Sequence, residues 1–185
     1  MELTEEEKTI LLKSARQSIL SAFGEDSPVK IDYKNHPVLA ELAGAFVTLT
    51  IDNELRGCIG YIISNMTLYD TVCDAAMQAA FNDPRFAAVN KNEFQFIEIE
   101  ISILSVPVPI SSYEEIEVGK HGILLDEKNR AVLLPQVATE HKYDRYQFLS
   151  ALCEKGGMKS YSWKERTLSI KVFTATIISE SSERK

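Results

Sequence analysis

The segment at residues 97–104 alternates apolar and polar residues more regularly than any other part of the chain, and it constrains the fold most strongly. Isoleucine occupies every second position from 97 to 103, with two glutamates and a serine between. Side chains of an extended strand alternate between two faces, so this pattern predicts a strand with one apolar face. Residues 45–51 alternate in the same way, and residues 168–178 predict a closing strand that rejoins the same sheet.

Two segments carry the start signals of helices. Thr4 followed by Glu7 is a capping-box pattern, and apolar residues then recur at helical spacing as far as Phe23. Thr67 followed by Asp70 marks a second start, before a narrow stripe rich in alanine. Helices and strands are mixed without regular βαβ alternation, and the strands are joined by hairpin turns. The predicted class is therefore α+β, with a mainly antiparallel sheet flanked by helices.

The composition is that of an ordinary globular protein, and it disfavours several partners. The chain has 185 residues, enough to bury a core within one domain. Its formal net charge of -7 disfavours a general nucleic-acid or anionic-membrane surface, where basic clusters are expected. No apolar run approaches the roughly 20 residues that span a bilayer, and the N-terminus is acidic, unlike a signal peptide. The expected location is the cytoplasm.

The cysteines Cys58, Cys73 and Cys153 are odd in number and far apart in sequence, and they form no CxxC pair. This pattern predicts neither a disulfide framework nor a zinc or iron-sulfur site. We therefore expect reduced thiols, and we predict no metal and no cofactor.

The hexapeptide LRGCIG at residues 55–60 combines a cation, a thiol and two glycines just after a predicted turn. In an extended strand Arg56 and Cys58 point to the same face, roughly 6.5 Å apart, while Leu55 and Ile59 point to the other. A fixed positive charge favours the thiolate, which is the nucleophilic form of cysteine. Arg56 and Cys58 are therefore candidate catalytic residues, and a hairpin would hold them in a fixed relation.

Gly57 and Gly60 remove side-chain bulk on either side of the sulfur, so that a ligand or another backbone can come close. They are candidate ligand-binding residues. The alternative is structural, because a free cysteine such as Cys58 often fills a core, and glycines in a strand often mark a bulge.

Candidate ligand-binding side chains also follow the second helix. Asp83 and Arg85 lie on a tight turn, where they either anchor the loop or bring a second guanidinium to the Cys58 site. A guanidinium there would suit a carboxylate or phosphate. Glu98 and Glu100 lie about 6.5 Å apart on one strand face, which suits acid-base work, an oxygen-ligand metal or simple solvation. Of the two, Glu100 is the candidate that could meet an arginine.

His141 precedes a predicted helix and is a candidate general base, although capping and packing are common roles for such a histidine. Gln136 could donate or accept a hydrogen bond in the same pocket. From residue 111 the sequence changes in character, with a glycine-rich stretch at 119–122 followed by a second predicted hairpin. This middle portion is the candidate for a small lobe.

The hexapeptide belongs to a longer pattern that spans nearly the whole chain. Its other parts are NDPRF at 82–86, EIEISIL at 98–104, LPQVA at 134–138, His141, and the segment from Leu152 to Trp163. This pattern resembles the AMMECR-one domain family, which is called AmmeMemoRadiSam system protein A in prokaryotes. The resemblance implies a single domain over residues 1–185, with a small lobe at about 105–142 inserted within a larger lobe. A cleft between the lobes would be the natural ligand site.

The resemblance also implies partners. Members resemble the A component of a system that includes a Memo-like protein, similar to metal-dependent dioxygenases, and a radical S-adenosylmethionine (SAM) protein. This chain lacks the CxxxCxxC cluster motif, so it would be an accessory component or a downstream catalyst. The family has no settled activity to carry over.

Two hypotheses remain open from the sequence. In the first, the chain is an enzyme with Cys58 as nucleophile or covalent carrier, Arg56 as thiolate partner and His141 as base. In the second, it is a non-catalytic binding or scaffold module for a small molecule, a peptide or a partner protein, and the thiol only packs.

Overall fold

The computed structural model describes residues 2–25 and 29–180, and its class is α+β as predicted. The α-helices are α1 (Glu5–Ser21), α2 (Leu68–Phe81), α3 (Lys91–Phe94), α4 (Pro135–Glu140), α5 (Arg145–Lys155) and α6 (Ser162–Glu165). The strands are β1 (Ala45–Ile51), β2 (Glu54–Tyr61), β3 (Glu98–Leu104), β4 (Val108–Pro109), β5 (Gly122–Leu125), β6 (Ala131–Leu133), β7 (Ile170–Phe173) and β8 (Ala175–Ser179). Within the described ranges, no helix is long and apolar enough to cross a membrane.

The chain divides into two compact units. The first unit comprises residues 1–104 and 176–185, and the second comprises residues 105–175. The second unit is longer than the lobe predicted at 105–142. The reason is that α5 packs on β5 and β6, and β7 pairs with β5, so these later elements share one core.

The sheet of the first unit has the strand order β2-β1-β3-β8. β1 pairs antiparallel with β2 on one side and with β3 on the other. The register aligns Val47 with Ile59 and Ile101, and this apolar face packs with residues of α1 and α2 in one core. The predicted apolar faces of β1 and β3 are therefore buried together.

Local signals explain where the first unit's helices begin. Thr4 and Glu7 form the predicted capping box of α1, with the Glu7 amide donating to Thr4 Oγ1 at 3.2 Å. The Asp70 amide donates to the Thr67 hydroxyl at 3.1 Å and so caps α2. The short α3 was not predicted, although its capping residue Asn90 begins a recognisable capping box.

A β-bulge interrupts the pairing of β1 and β2 inside the hexapeptide. Leu49 pairs with Gly57, but the next residue of β1, Thr50, pairs with Leu55, so Arg56 is the extra residue. The bulge moves Leu55 to the face that Thr50 and Cys58 share. The predicted placement of Leu55 opposite to Cys58 is therefore wrong, because strict alternation does not continue through a bulge.

The sheet of the second unit has the order β4-β7-β5-β6, and Phe148, Leu149 and Leu152 of α5 are fully buried in its core. The predicted closing strand at 168–178 is in fact two strands. β7 joins the second unit's sheet and β8 joins the first unit's sheet. Between them Thr174 exchanges hydrogen bonds with Ser105, which removes Thr174 from the ladder.

Candidate functional site

Cys58 lies in β2 opposite Thr48 of β1. Thr48 stands between Val47 and Leu49, which face the helices, so the Thr48 and Cys58 side chains lie on the opposite face of the sheet. There Thr48 Oγ1 donates a hydrogen bond to Cys58 Sγ at 3.3 Å. The thiol is free and the residue is partly exposed. The Thr48 hydroxyl therefore orients the Cys58 thiol on this face of the sheet.

The backbone of Cys58 is held from the side away from β1. The Cys58 amide donates to Asp83 Oδ2 at 2.9 Å, and its carbonyl oxygen accepts from Arg85 Nη2 at 3.2 Å. β2 is an edge strand of its sheet, so these groups would otherwise be open ladder positions. Asp83 and Arg85 thus take the place of a neighbouring strand at this one residue.

Asp83 and Arg85 also form a tight pair with each other. Asp83 is buried, and it accepts hydrogen bonds from Arg85 Nε at 3.0 Å, Nη2 at 2.7 Å and the backbone amide at 3.1 Å. The Arg85 side chain, followed by the amides of Cys58 and Arg85, holds the pKa of Asp83 well below its usual range despite burial. These bonds correspond to the loop-anchoring alternative for both residues, and they bring both to Cys58.

Arg56 has a different partner from the thiol that the sequence predicts. Its Nη2 donates to Glu93 Oε1 at 2.8 Å and its Nε to Glu93 Oε2 at 3.3 Å. The Arg56 side chain lowers the pKa of Glu93, and Glu93 also completes the capping box of α3 by accepting from the Asn90 amide at 2.8 Å. The bulged guanidinium therefore ties β2 to α3.

The two arginines flank one aromatic ring. The guanidinium carbon of Arg56 lies 5.9 Å from the Phe86 centroid, and that of Arg85 lies 5.4 Å from it. Each guanidinium also has its own carboxylate, which is Glu93 for Arg56 and Asp83 for Arg85. The local positive charge that would favour an anionic ligand is consequently neutralised within the chain.

The space at the two glycines is already used. A Cβ atom at Gly57 would lie 2.3 Å from the carbonyl oxygen of Ala79 in α2, so the helix backbone approaches the strand there. A Cβ atom at Gly60 would lie 2.6 Å from Cγ of Phe46 and closer still to the backbone of β1. Close packing, rather than an open space for a ligand, therefore accounts for the small residue at both positions.

Glu100 is placed in the same cross-strand row as the thiol. It pairs with Thr48 from the β3 side, so the row across three strands reads Cys58, Thr48, Glu100. Two strand spacings separate the backbones of Cys58 and Glu100 by about 10 Å. Glu98 pairs with Thr50 and therefore lies one row away.

His141 and Gln136 belong to the second unit, whereas Cys58 belongs to the first. His141 is the C-cap residue of α4 and its ring stacks on Tyr143 at a centroid distance of 5.2 Å. Gln136 lies in the first turn of α4. Over residues 2–25 and 29–180, no group of three or more histidine, cysteine, aspartate or glutamate side chains is arranged to hold a metal ion.

Sequence reasoning missed Thr48, Glu93 and Phe86 as neighbours of the candidate site. The alternation of β1 carried a signal for Thr48, because it placed the hydroxyl on the polar face of a strand that pairs with β2. The Asn90 and Glu93 spacing carried a signal for a helix start. Neither signal identified Glu93 as the partner of Arg56, since the contact depends on the bulge.

Known proteins match this chain over most of its length. The profile of the AMMECR1 family matches residues 12–178. Protein Mbar_A1807 of Methanosarcina barkeri is 38% identical over 170 residues, which cover 87% of this chain and 84% of that protein. A protein of Sulfolobus acidocaldarius is 39% identical over 182 residues, which cover 92% and 80%. The crystal structure of uncharacterized protein PH0010 from Pyrococcus horikoshii matches with a TM-score of 0.88 and 30% identity, covering 97% of this chain and 94% of that one.

Proposed function

Because this chain belongs to the AMMECR1 family, we propose that it is an accessory component like AmmeMemoRadiSam system protein A, with a ligand or catalytic site centred on Cys58. Its partners in that role are a Memo-like protein and a radical SAM protein. The ligand is a small molecule or peptide that contacts the Cys58 face of the first unit's sheet.

One observation carries the proposal. The amide and the carbonyl of Cys58 are both held by Asp83 and Arg85 on the open edge of β2, while its thiol receives a hydrogen bond from Thr48 and the residue is partly exposed. A thiol that only fills a core needs neither a hydroxyl donor nor a clamp on its backbone. Rigid support around one reactive atom is what a binding or catalytic site requires.

The residues have distinct roles in this proposal. Cys58 contacts the ligand, Thr48 orients the sulfur, and Asp83 with Arg85 fixes the strand. Arg56 acts indirectly, because its ion pair with Glu93 supports the bulge next to the site. Glu100 is the carboxylate in the same row as the thiol and is the candidate proton acceptor.

The alternative is a non-catalytic binding or scaffold module for the Memo-like or radical SAM partner. The pairing of both guanidiniums with carboxylates favours it, since no free cation of this pair is left to activate the thiol. In this alternative the Cys58 segment maintains the shape of the edge strand.

Thiol alkylation measured cysteine by cysteine tests the proposal. Burial raises the pKa of the Cys73 and Cys153 thiols, so both serve as internal controls in the same protein. At neutral pH we expect iodoacetamide to label Cys58 about tenfold faster than either control, and faster than Cys58 in urea-denatured protein. Peptide mapping by mass spectrometry gives the three rates. A folded-state Cys58 that labels no faster than the denatured one overturns the proposal.

A reconstituted mixture with a Memo-like protein and a radical SAM protein distinguishes the Cys58 site from the scaffold alternative. Loss of turnover in Cys58→Ser with unchanged co-purification supports the thiol site. Full turnover in Cys58→Ser supports the scaffold alternative. Cys73→Ser, which changes a thiol inside α2, is the matched control.

We also propose a cytoplasmic location. The support is that all three cysteines are free, as is usual in a reducing compartment.

A further inference from the structure

The second unit has an open surface depression along α5 and α6, which we call the α5–α6 cavity. Its volume is about 380 Å³, and three aromatic residues, Tyr143, Tyr146 and Trp163, line it. Cavities of roughly 300 to 1,000 Å³ with aromatic walls are typical of small-molecule sites. None of the candidate residues in the first unit contributes to this cavity.

The aromatic walls are held in place by their own contacts. Tyr146 stacks on Trp163 with centroids 5.2 Å apart and an interplanar angle of 12°. Trp163 Nε1 donates to Ser150 Oγ at 3.0 Å, and the Tyr113 ring meets Trp163 edge to face at 6.2 Å. The indole is therefore fixed before any ligand arrives, so binding costs little ordering of the wall.

A cation already lies on this wall. Lys164 Nζ is 5.0 Å from the Trp163 ring centroid, and Lys164 itself lines the cavity. An ammonium at that distance is attracted by the electron-rich face of the ring. Asp144 and Glu154 also line the cavity, and of these Asp144 already caps α5 by accepting from the amides of Tyr146 and Gln147. The aromatic residues favour a positively charged ligand, and Glu154 offers it the opposite charge.

We propose that the α5–α6 cavity binds an organic cation through an alkylammonium group, carried by a small amine or by a lysine side chain of a partner protein. Lys164 is an internal stand-in for this group on the Trp163 face. The ligand ammonium contacts the aromatic wall while Glu154 supplies the opposite charge. This site is independent of the thiol site proposed for the first unit.

The chain offers a direct probe, because Trp163 is its only tryptophan. Titration with choline, butylammonium or a lysine peptide acetylated at its N-terminus, with the side-chain ammonium free, should change the fluorescence of Trp163. The change should saturate as the cation concentration rises. The neutral isostere of choline, in which a tert-butyl group replaces the trimethylammonium, should bind at least about fivefold more weakly. Equal binding of choline and its neutral isostere, or no saturation with any of the three cations, overturns the proposal.

Three variants sharpen the test. Glu154→Gln should weaken cation binding about threefold, and Lys164→Gln should strengthen it by a similar factor because the internal cation is removed. Lys159→Gln is the matched control, since Lys159 lies 5.5 Å from the Tyr161 ring and neither residue lines the cavity. Weaker binding in Lys164→Gln, or equal changes in Lys159→Gln, would contradict the assignment. Tighter binding of the peptide than of the small amines assigns the ammonium to a partner protein, and the reverse assigns it to a free amine.

Discussion

The Cys58 region of the first unit and the α5–α6 cavity of the second differ in the contacts that hold their side chains. Around Cys58 the charged groups form ion pairs, Asp83 with Arg85 and Glu93 with Arg56, although Arg56 Nη1 is buried without a hydrogen-bond partner. The α5–α6 cavity is lined by aromatic residues together with Asp144, Glu154 and Lys164. The first arrangement fixes the position of the Cys58 sulfur. The second presents an aromatic surface, which on our proposal distinguishes cationic from neutral ligands. Charged residues near a candidate site therefore need not bind a charged ligand.

The largest expected effect tests how tightly the first region is packed. Gly57→Ala would put a Cβ atom 2.3 Å from the backbone carbonyl oxygen of Ala79, which a helix cannot easily move. We expect the free energy of unfolding to fall by about 3 kcal/mol. Urea denaturation at neutral pH measures it.

Gly156→Ala in the second unit is the matched control for this substitution. There the added Cβ atom would lie 2.8 Å from Cδ2 of Leu125, which is the end of a buried side chain rather than a backbone atom. We expect a loss of about 1 kcal/mol or less. Equal losses at Gly57 and Gly156 would mean that α2 is not held against β2 as closely as the structure describes.

A smaller effect is expected at the Asp83 and Arg85 pair. Asp83→Asn keeps the side-chain shape but removes the charge that accepts from Arg85 and from the Cys58 amide, and we expect a loss of about 2 kcal/mol at neutral pH. The folded-state pKa of Asp83 lies below its unfolded value, which is about 4. The stabilisation is therefore complete above pH 4 and declines as the pH falls below that value.

Unfolding curves at several pH values test whether the stabilisation by Asp83 declines as the pH falls. The difference between wild type and Asp83→Asn should shrink as the pH is lowered from neutral toward 2. Glu127→Gln is the comparison in the second unit, because Arg166 also lowers the pKa of Glu127. The Asp83 side chain is 2% exposed and that of Glu127 is 22% exposed, so Asp83 should show the larger effect. If the difference in unfolding free energy between wild type and Asp83→Asn instead grows as the pH is lowered, the pKa of Asp83 is not lowered in the folded protein.

The fold was largely predictable where local signals and the final contacts agree. β1, β3, α1 and α2 followed from alternation and capping, because each of these elements buries one regular face. The closing strand at 168–178 was predicted as one element, since alternation does not report a change of sheet. The contact between Thr174 and Ser105 marks that division.

The candidate site was predictable in part. The sequence proposed Cys58 as the centre of a site and left open whether Arg85 reaches it, and it did not predict the partner of Arg56. One extra residue in a strand places the side chains before it on the opposite face from the one that regular alternation predicts. Nothing local in the hexapeptide distinguishes such a bulge from a regular strand. The partnership of Arg56 and Glu93 depends on that bulge and on a helix of only four residues.

The smallest expected effect separates the two roles that Arg56 can have. Glu93→Gln removes the carboxylate that accepts from Arg56, and we expect a loss of about 1 kcal/mol in unfolding free energy, since both side chains are partly exposed. The alkylation rate of Cys58 should change less than about twofold, because the donor to its sulfur is Thr48. Thr48→Val, which keeps the shape but removes this donor, should slow alkylation by more than Glu93→Gln changes it. If Glu93→Gln instead accelerates alkylation several-fold at neutral pH, the released guanidinium reaches the sulfur. In that case the Arg56 thiolate pairing predicted from the sequence is an accessible state of the site, which the ion pair with Glu93 holds closed.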